Sequence, residues 1–163
     1  MTLSIDPRIS RINPMYRIYL LYIEPFIALS GAYLAYFQPN EFLVRTAPWK
    51  VSQQFIHIKF PKPVIKLLST DIAALYIFFA INEAVVLRLT RDYSVWQAVV
   101  FAMLMSDMGH ILAIYQADPV GSLNVAKWQR EEYVNNGIIA FGVILRLGFL
   151  SGFGNGKDRR NRW

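Results

Sequence analysis

Apolar and polar positions along this chain sort into four long apolar stretches separated by polar connections marked by proline. The stretch over 95–117, VWQAVVFAMLMSDMGHILAIYQA, sets the type. At a rise of about 1.5 Å per residue it is long enough, as a helix, to cross the ~30 Å apolar layer of a bilayer. Further spans are predicted over 16–37, 66–89 and 137–153. In the first, Pro25 removes a backbone donor, which predicts a kink and room beside Glu24. Ala28, Gly31 and Ala32 let a neighbouring helix approach closely. The arm before residue 14 is irregular. Between 38 and 69, Asn40 is placed to cap a short helix over 41–45. The pattern over 50–60 fits either a strand or an interfacial helix, closed by Pro61 and Pro63. Trp49 and Phe55 suit the headgroup level, and His57 the interfacial surface. Residues 90–94 form a tight turn, Asp118-Pro119 stops the third span and opens a polar loop to 136, and a basic tail begins at 154. The prediction is an all-α fold: an integral membrane four-helix bundle, one transmembrane domain over 1–163.

Composition agrees. Only 17% of residues are charged, against roughly 25% in soluble domains, and mean hydropathy is +0.30. There is no cysteine, which excludes disulfides and thiolate chemistry, and two histidines are too few for an ordinary metal centre, so no metal is expected. The net charge of +6 flanks the apolar stretches and ends in the tail, a distribution that suits anionic lipid headgroups and not nucleic acid. Four spans put both termini on one side, where nine Lys and Arg residues face seven on the other; this favours cytoplasmic termini.

The polar positions inside the spans carry the candidate chemistry. Asp107 and His110 share one face of the third helix. Glu83 and Asn82 lie in the second helix, with Tyr76 and Phe79 on the face of Glu83. Glu24 lies in the first and Arg146 in the fourth. Counted by helical rise from the terminal side, Glu24, Arg146 and Glu83 lie about 9–12 Å deep, Asp107 about 18 Å and His110 about 22 Å. Ionisable groups at such depths face a bundle interior, not lipid. They can serve as structural glue. They can also make an acid–base site in which Arg146 keeps one carboxylate ionised while a second, desolvated and farther away, stays neutral. Arg146 is expected to pair with Glu24 or Glu83. Asp107, in a run of methionines (Met103, Met105, Met108), is expected to be the neutral proton donor, with Glu83 second and His110 as a relay or base. Tyr76, Phe79 and Phe101 offer aromatic faces to a carbocation. Asn82 and Arg146 complete the expected substrate contacts. No phosphate-binding glycine loop, dinucleotide fingerprint or nucleophilic Ser or Cys constellation is present.

Tyr22-Ile23-Glu24-Pro25, Gly31-Ala32-Tyr33 and Phe37-Gln38-Pro39, with Asn82-Glu83 and the Asp107/His110 pair, resemble a small fungal integral-membrane family. Its members resemble the membrane-bound terpene cyclases of meroterpenoid pathways and, more distantly, bundles of the sterol isomerase and sigma-2 receptor type. The resemblance covers most of the chain, although the chain is shorter than those cyclases, which have more helices. It implies a metal-independent, proton-initiated cyclisation or isomerisation of a prenyl chain, with Glu24, Glu83 and Asp107 as the residues carried over. It implies an endoplasmic reticulum membrane, a hydrophobic prenylated small molecule and membrane lipids as partners, no cofactor and no nucleic acid; a homo-oligomer is compatible with it. The reading from a different class is a non-catalytic membrane protein that binds a lipid or sterol or supports a partner protein.

Overall fold

The computed structural model describes residues 5–57 and 62–156. Four helices are long and apolar enough to cross a membrane: α1 (Pro14–Phe37), α4 (Pro63–Leu89), α5 (Tyr93–Ala117) and α7 (Arg130–Leu150). Short helices α2 (Pro39–Thr46) and α3 (Trp49–His57) join α1 to α4, and α6 (Pro119–Leu123) follows α5. Among the described residues there is no strand. The fold is the all-α membrane bundle that the four apolar stretches predict. The ambiguous 50–60 segment is helical as far as His57, whereas the side chains of Phe55 and His57 and the tail from 157 lie outside the described residues.

Each boundary has a local cause. Asn13 accepts from the Met15 N–H (2.9 Å) ahead of Pro14, which fills a helix position where no N–H is needed. Asp92 caps α5 through the Ser94 N–H (2.8 Å), and Asp118 caps α6 through the Gly121 N–H (3.1 Å). The Gln129–Glu132 capping box starts α7 seven residues before the expected 137, because 130–136 is polar yet helical. The other oxygen of Glu132 accepts from the Trp49 N–H (3.1 Å), so one carboxylate holds the starts of α3 and α7 together. At the far end of α7, Gly152 has φ 75°, and the bonds Phe153 N–H to Gly148 and Gly152 N–H to Phe149 close a Schellman turn. The short helix expected over 41–45 begins earlier: Pro39 is its first residue, so Asn40 lies inside it and does not cap it.

Two of the membrane helices are interrupted by π-turns, Tyr19–Ile23 in α1 and Asn82–Val86 in α4. The first precedes Pro25, whose missing N–H would have gone to the Leu21 carbonyl. Arg88 from α4 donates to that carbonyl instead (3.4 Å). The kink expected at Pro25 is thus taken up as a widened turn. The second begins where the Asn82 side chain donates to the Phe78 carbonyl (2.8 Å) and competes with the helix ladder. The two π-turns pack against each other.

The bundle is filled unevenly. At the end that carries the termini, Phe149 sits among the rings of Tyr16 (5.5 Å), Tyr93 (5.7 Å) and Trp96 (6.0 Å), with Leu20, Leu87 and Val100 around them. Toward the other end, α1 and α4 pack through Ala32, Ala35 and Ala73, and α2 lies over them with Phe42 inserted. Gly31 leaves room for the Tyr76 ring, which a Cβ would meet at 3.3 Å. Between that roof and the aromatic core the interior is hollow.

Candidate functional site

The floor of the hollow is a cluster of charged groups from all four membrane helices. Arg146 is 2% exposed. Its Nη1 donates to Asp107 Oδ2 (2.5 Å) and its Nη2 donates to Glu24 Oε1, so α7 is tied to α5 and α1 at once. Gly142, one turn earlier on the same face, makes room for the guanidinium, since a Cβ there would collide with Nη1. The Tyr19 hydroxyl lies over the same glycine. Neither Gly142 nor Tyr19 is singled out by the sequence reading; a glycine four residues before a buried arginine was the available signal for the first.

Glu83 is fully buried, and neither of its oxygens has a donor. Its carboxyl faces that of Glu24, whose Oε2 also lacks a donor. Two carboxylates offer each other acceptors only, so a hydrogen bond between them requires a proton on one. The charge count gives the same answer. One guanidinium stands against three carboxyl groups, of which Glu83 is fully buried and would be costly to keep charged without a partner. The Glu24–Glu83 pair, placed side by side where the two π-turns pack, is where a shared proton fits.

Arg146 pairs with Glu24, one of the two partners expected for it; what was not expected is its second partner, Asp107, and the carboxyl without a cation is Glu83. Counting rise along the axes placed Asp107 too far away. Helical side chains lean toward their own N-terminus. Because α5 and α7 run antiparallel, Asp107 leans toward the terminal side while Arg146 leans away from it, and the two converge.

A cavity of about 820 Å³ opens above the cluster. Glu24, Asp107 and Arg146 line its floor, and Tyr76, Phe79 and His110 its walls. Phe42 is in its roof, and the exposed Arg45 of α2 and Arg130 and Glu131 of α7 surround its mouth. The His110 Nε2 is buried and unpartnered. Glu83 does not line this space and sits behind Glu24. Two expected contacts are not brought to it. Phe101 is 54% exposed on the outside of α5, because six residues of helix turn it well away from the face of Asp107. Asn82 is bonded back onto its own helix. Among the described residues no group of three or more His, Asp or Glu side chains is arranged to hold a metal ion.

Fold and site together define a class: a small four-helix integral membrane protein with a guanidinium–carboxyl cluster at the bottom of a cavity walled by aromatic and polar side chains. The chain belongs to the DUF7704 family, described as a domain of unknown function, whose model matches residues 9–156. No curated protein and no solved structure matches it.

Proposed function

We propose that the chain is a membrane-embedded acid–base enzyme, a terpene cyclase or isomerase that rearranges a prenyl chain by adding and removing a proton without a metal. The observation that carries this reading is the Glu24–Glu83 pair: a fully buried carboxyl group set against a second one that faces a cavity walled by Tyr76 and Phe79. The resemblance to membrane-bound terpene cyclases, which rests in part on the same Glu24, Glu83 and Asp107, points the same way. Glu24 delivers the proton to an alkene carbon, and the pair is left with one more negative charge. The resulting tertiary cation is flanked by Tyr76 and Phe79, whose ring faces favour positive charge. A neighbouring double bond supplies two electrons to form the new carbon–carbon bond and moves the cation along. Loss of a proton to Asp107 or His110 restores an alkene, and return of that proton to the carboxyl pair resets the site. Substrate and product have the same formula. Asp107, which accepts from Arg146 Nη1, is the base in this scheme and not the donor that the sequence favours. The reading also places the chain in the endoplasmic reticulum membrane with cytoplasmic termini, as its basic residues favour.

The second reading, a non-catalytic lipid- or sterol-binding module, is favoured by one observation: Arg146 braces three helices at once, which suffices as a structural role. Incubation of microsomes bearing the protein with a panel of prenylated phenols in D₂O separates the two. The acid–base reading expects a cyclised or isomerised product carrying one deuterium at the protonated carbon. Substrates that bind but return unchanged and unlabelled would leave the second reading.

A further inference from the structure

A second cavity, of about 570 Å³, runs between α1 and α7. Its walls are Met15, Ile18, Ile23 and Ile27 on one helix and Ile138 and Phe141 on the other. Buried Tyr19 and Leu145 form its floor. Ile18 and Phe141 are 54% and 52% exposed, so in a bilayer this groove opens sideways onto the lipid chains. From Met15 to Ile27 it is about 18 Å long, more than half the ~30 Å apolar thickness of a membrane. Among the described residues no charged side chain lines it. It therefore has nothing to offer a headgroup or an unpaired peptide backbone, and its shape matches one extended hydrocarbon chain.

The groove lies against the site. Ile27 and Ile138 line both cavities and form the wall they share. Beside them the Tyr19 ring packs on Phe141 (5.3 Å) while its hydroxyl lies over Gly142, next to Arg146. The other way in, beneath α2, passes Glu41, Arg45, Arg130 and Glu131. A hydrocarbon chain dissolved in the bilayer would have to leave the membrane and pass those charges to use it. The groove asks neither.

We propose that this groove is the tail site and lateral entrance of the ionic cavity: it takes the prenyl chain of the substrate from the bilayer and passes it between Ile27 and Ile138 to the cluster. The prenyl identity of the tail rests on the acid–base reading above; occupancy of the groove is read by binding, without turnover. The test uses the full chain in nanodiscs of saturated phosphatidylcholine, a diazirine-bearing analogue of farnesol as the probe, and peptide mapping after irradiation. Label is expected on 18–27 and 138–145 and on Tyr76 and Phe79, displaced by excess farnesol but not by excess stearyl alcohol. Ile27→Trp and Ile138→Trp should lower the label on Tyr76 and Phe79 about tenfold and leave the groove labelled. Ile138→Phe, a smaller change, should lower it in the same direction, so that the result does not hang on one variant folding. Groove label that farnesol fails to displace would mean an ordinary lipid occupies it and would overturn the proposal. So would cavity label that stays unchanged in folded variants, since entry would then be through the mouth. Expected labelling without turnover supports the groove and counts against the acid–base reading; turnover with an unlabelled groove defeats the groove alone.

Discussion

A guanidinium buried to 2% exposure must be met by charge within its own reach. Arg146→Leu would leave Glu24 and Asp107 without their cation, and breaking such a buried pair costs on the order of 3–5 kcal/mol. The melting temperature in detergent should fall accordingly. Arg146→Lys should recover only part of it, because an ammonium cannot fork to two carboxylates on different helices. A leucine variant with an unchanged melt would mean that Arg146 contributes nothing by its pairing. The proton donor is the second issue at this scale. Glu83→Gln gives Glu24 a permanent amide donor, so the fold should survive, while turnover falls on the order of 10²-fold or more. Asp107→Asn should weaken the Arg146 brace and slow proton removal. Near-normal turnover in Glu83→Gln beside a dead Asp107→Asn would return the donor to α5. The members of the cluster were legible in the sequence, since Glu24, Glu83, Asp107 and Arg146 are ionisable groups in otherwise apolar runs. The pairing of Arg146 with Asp107 was not, because the direction in which a side chain leans does not show in a count of residues.

At the scale of the element, the four long helices were legible for the plainest reason: apolar runs of that length are stable as helices in a membrane. What the runs did not reveal was the pair of π-turns, which depend on hydrogen-bond competition at two positions, Pro25 and Asn82. Pro25→Ala would return an N–H to the Leu21 carbonyl, release Arg88 from it and let α1 close to regular α-helix. Removing the extra residue of a π-turn rotates one side of the helix by about 100° relative to the other. Tyr16 and Leu20 would then turn out of the aromatic core, or Glu24 would turn away from Glu83. We expect a loss of at least about 1 kcal/mol in stability, or a loss of turnover, from a change that touches no reacting group. Melting and turnover both at the level of the unaltered protein would show that the π-turn does not depend on the proline.

For the molecule as a whole, an even number of spans requires both termini on one side. Tags at the two ends should become accessible together, and only on the cytoplasmic face, in protease protection of sealed microsomes. Tags on opposite faces would remove one of the four crossings. Room beside Glu24 was legible from Pro25, but the extent of the hollow was not, since the same apolar residues would serve a filled bundle. It exists because bulk is distributed unequally: Tyr16, Tyr93, Trp96 and Phe149 fill one end, whereas alanines and glycines bring α1 and α4 together at the other. That division has a practical consequence for redesign. The two halves can be treated as separate modules, a chassis and a mould. A library that randomises Ile72, Tyr76, Phe79 and Val134 around the hollow while leaving the aromatic end untouched should keep most members folded, and new product profiles can be selected without rebuilding the protein that holds them.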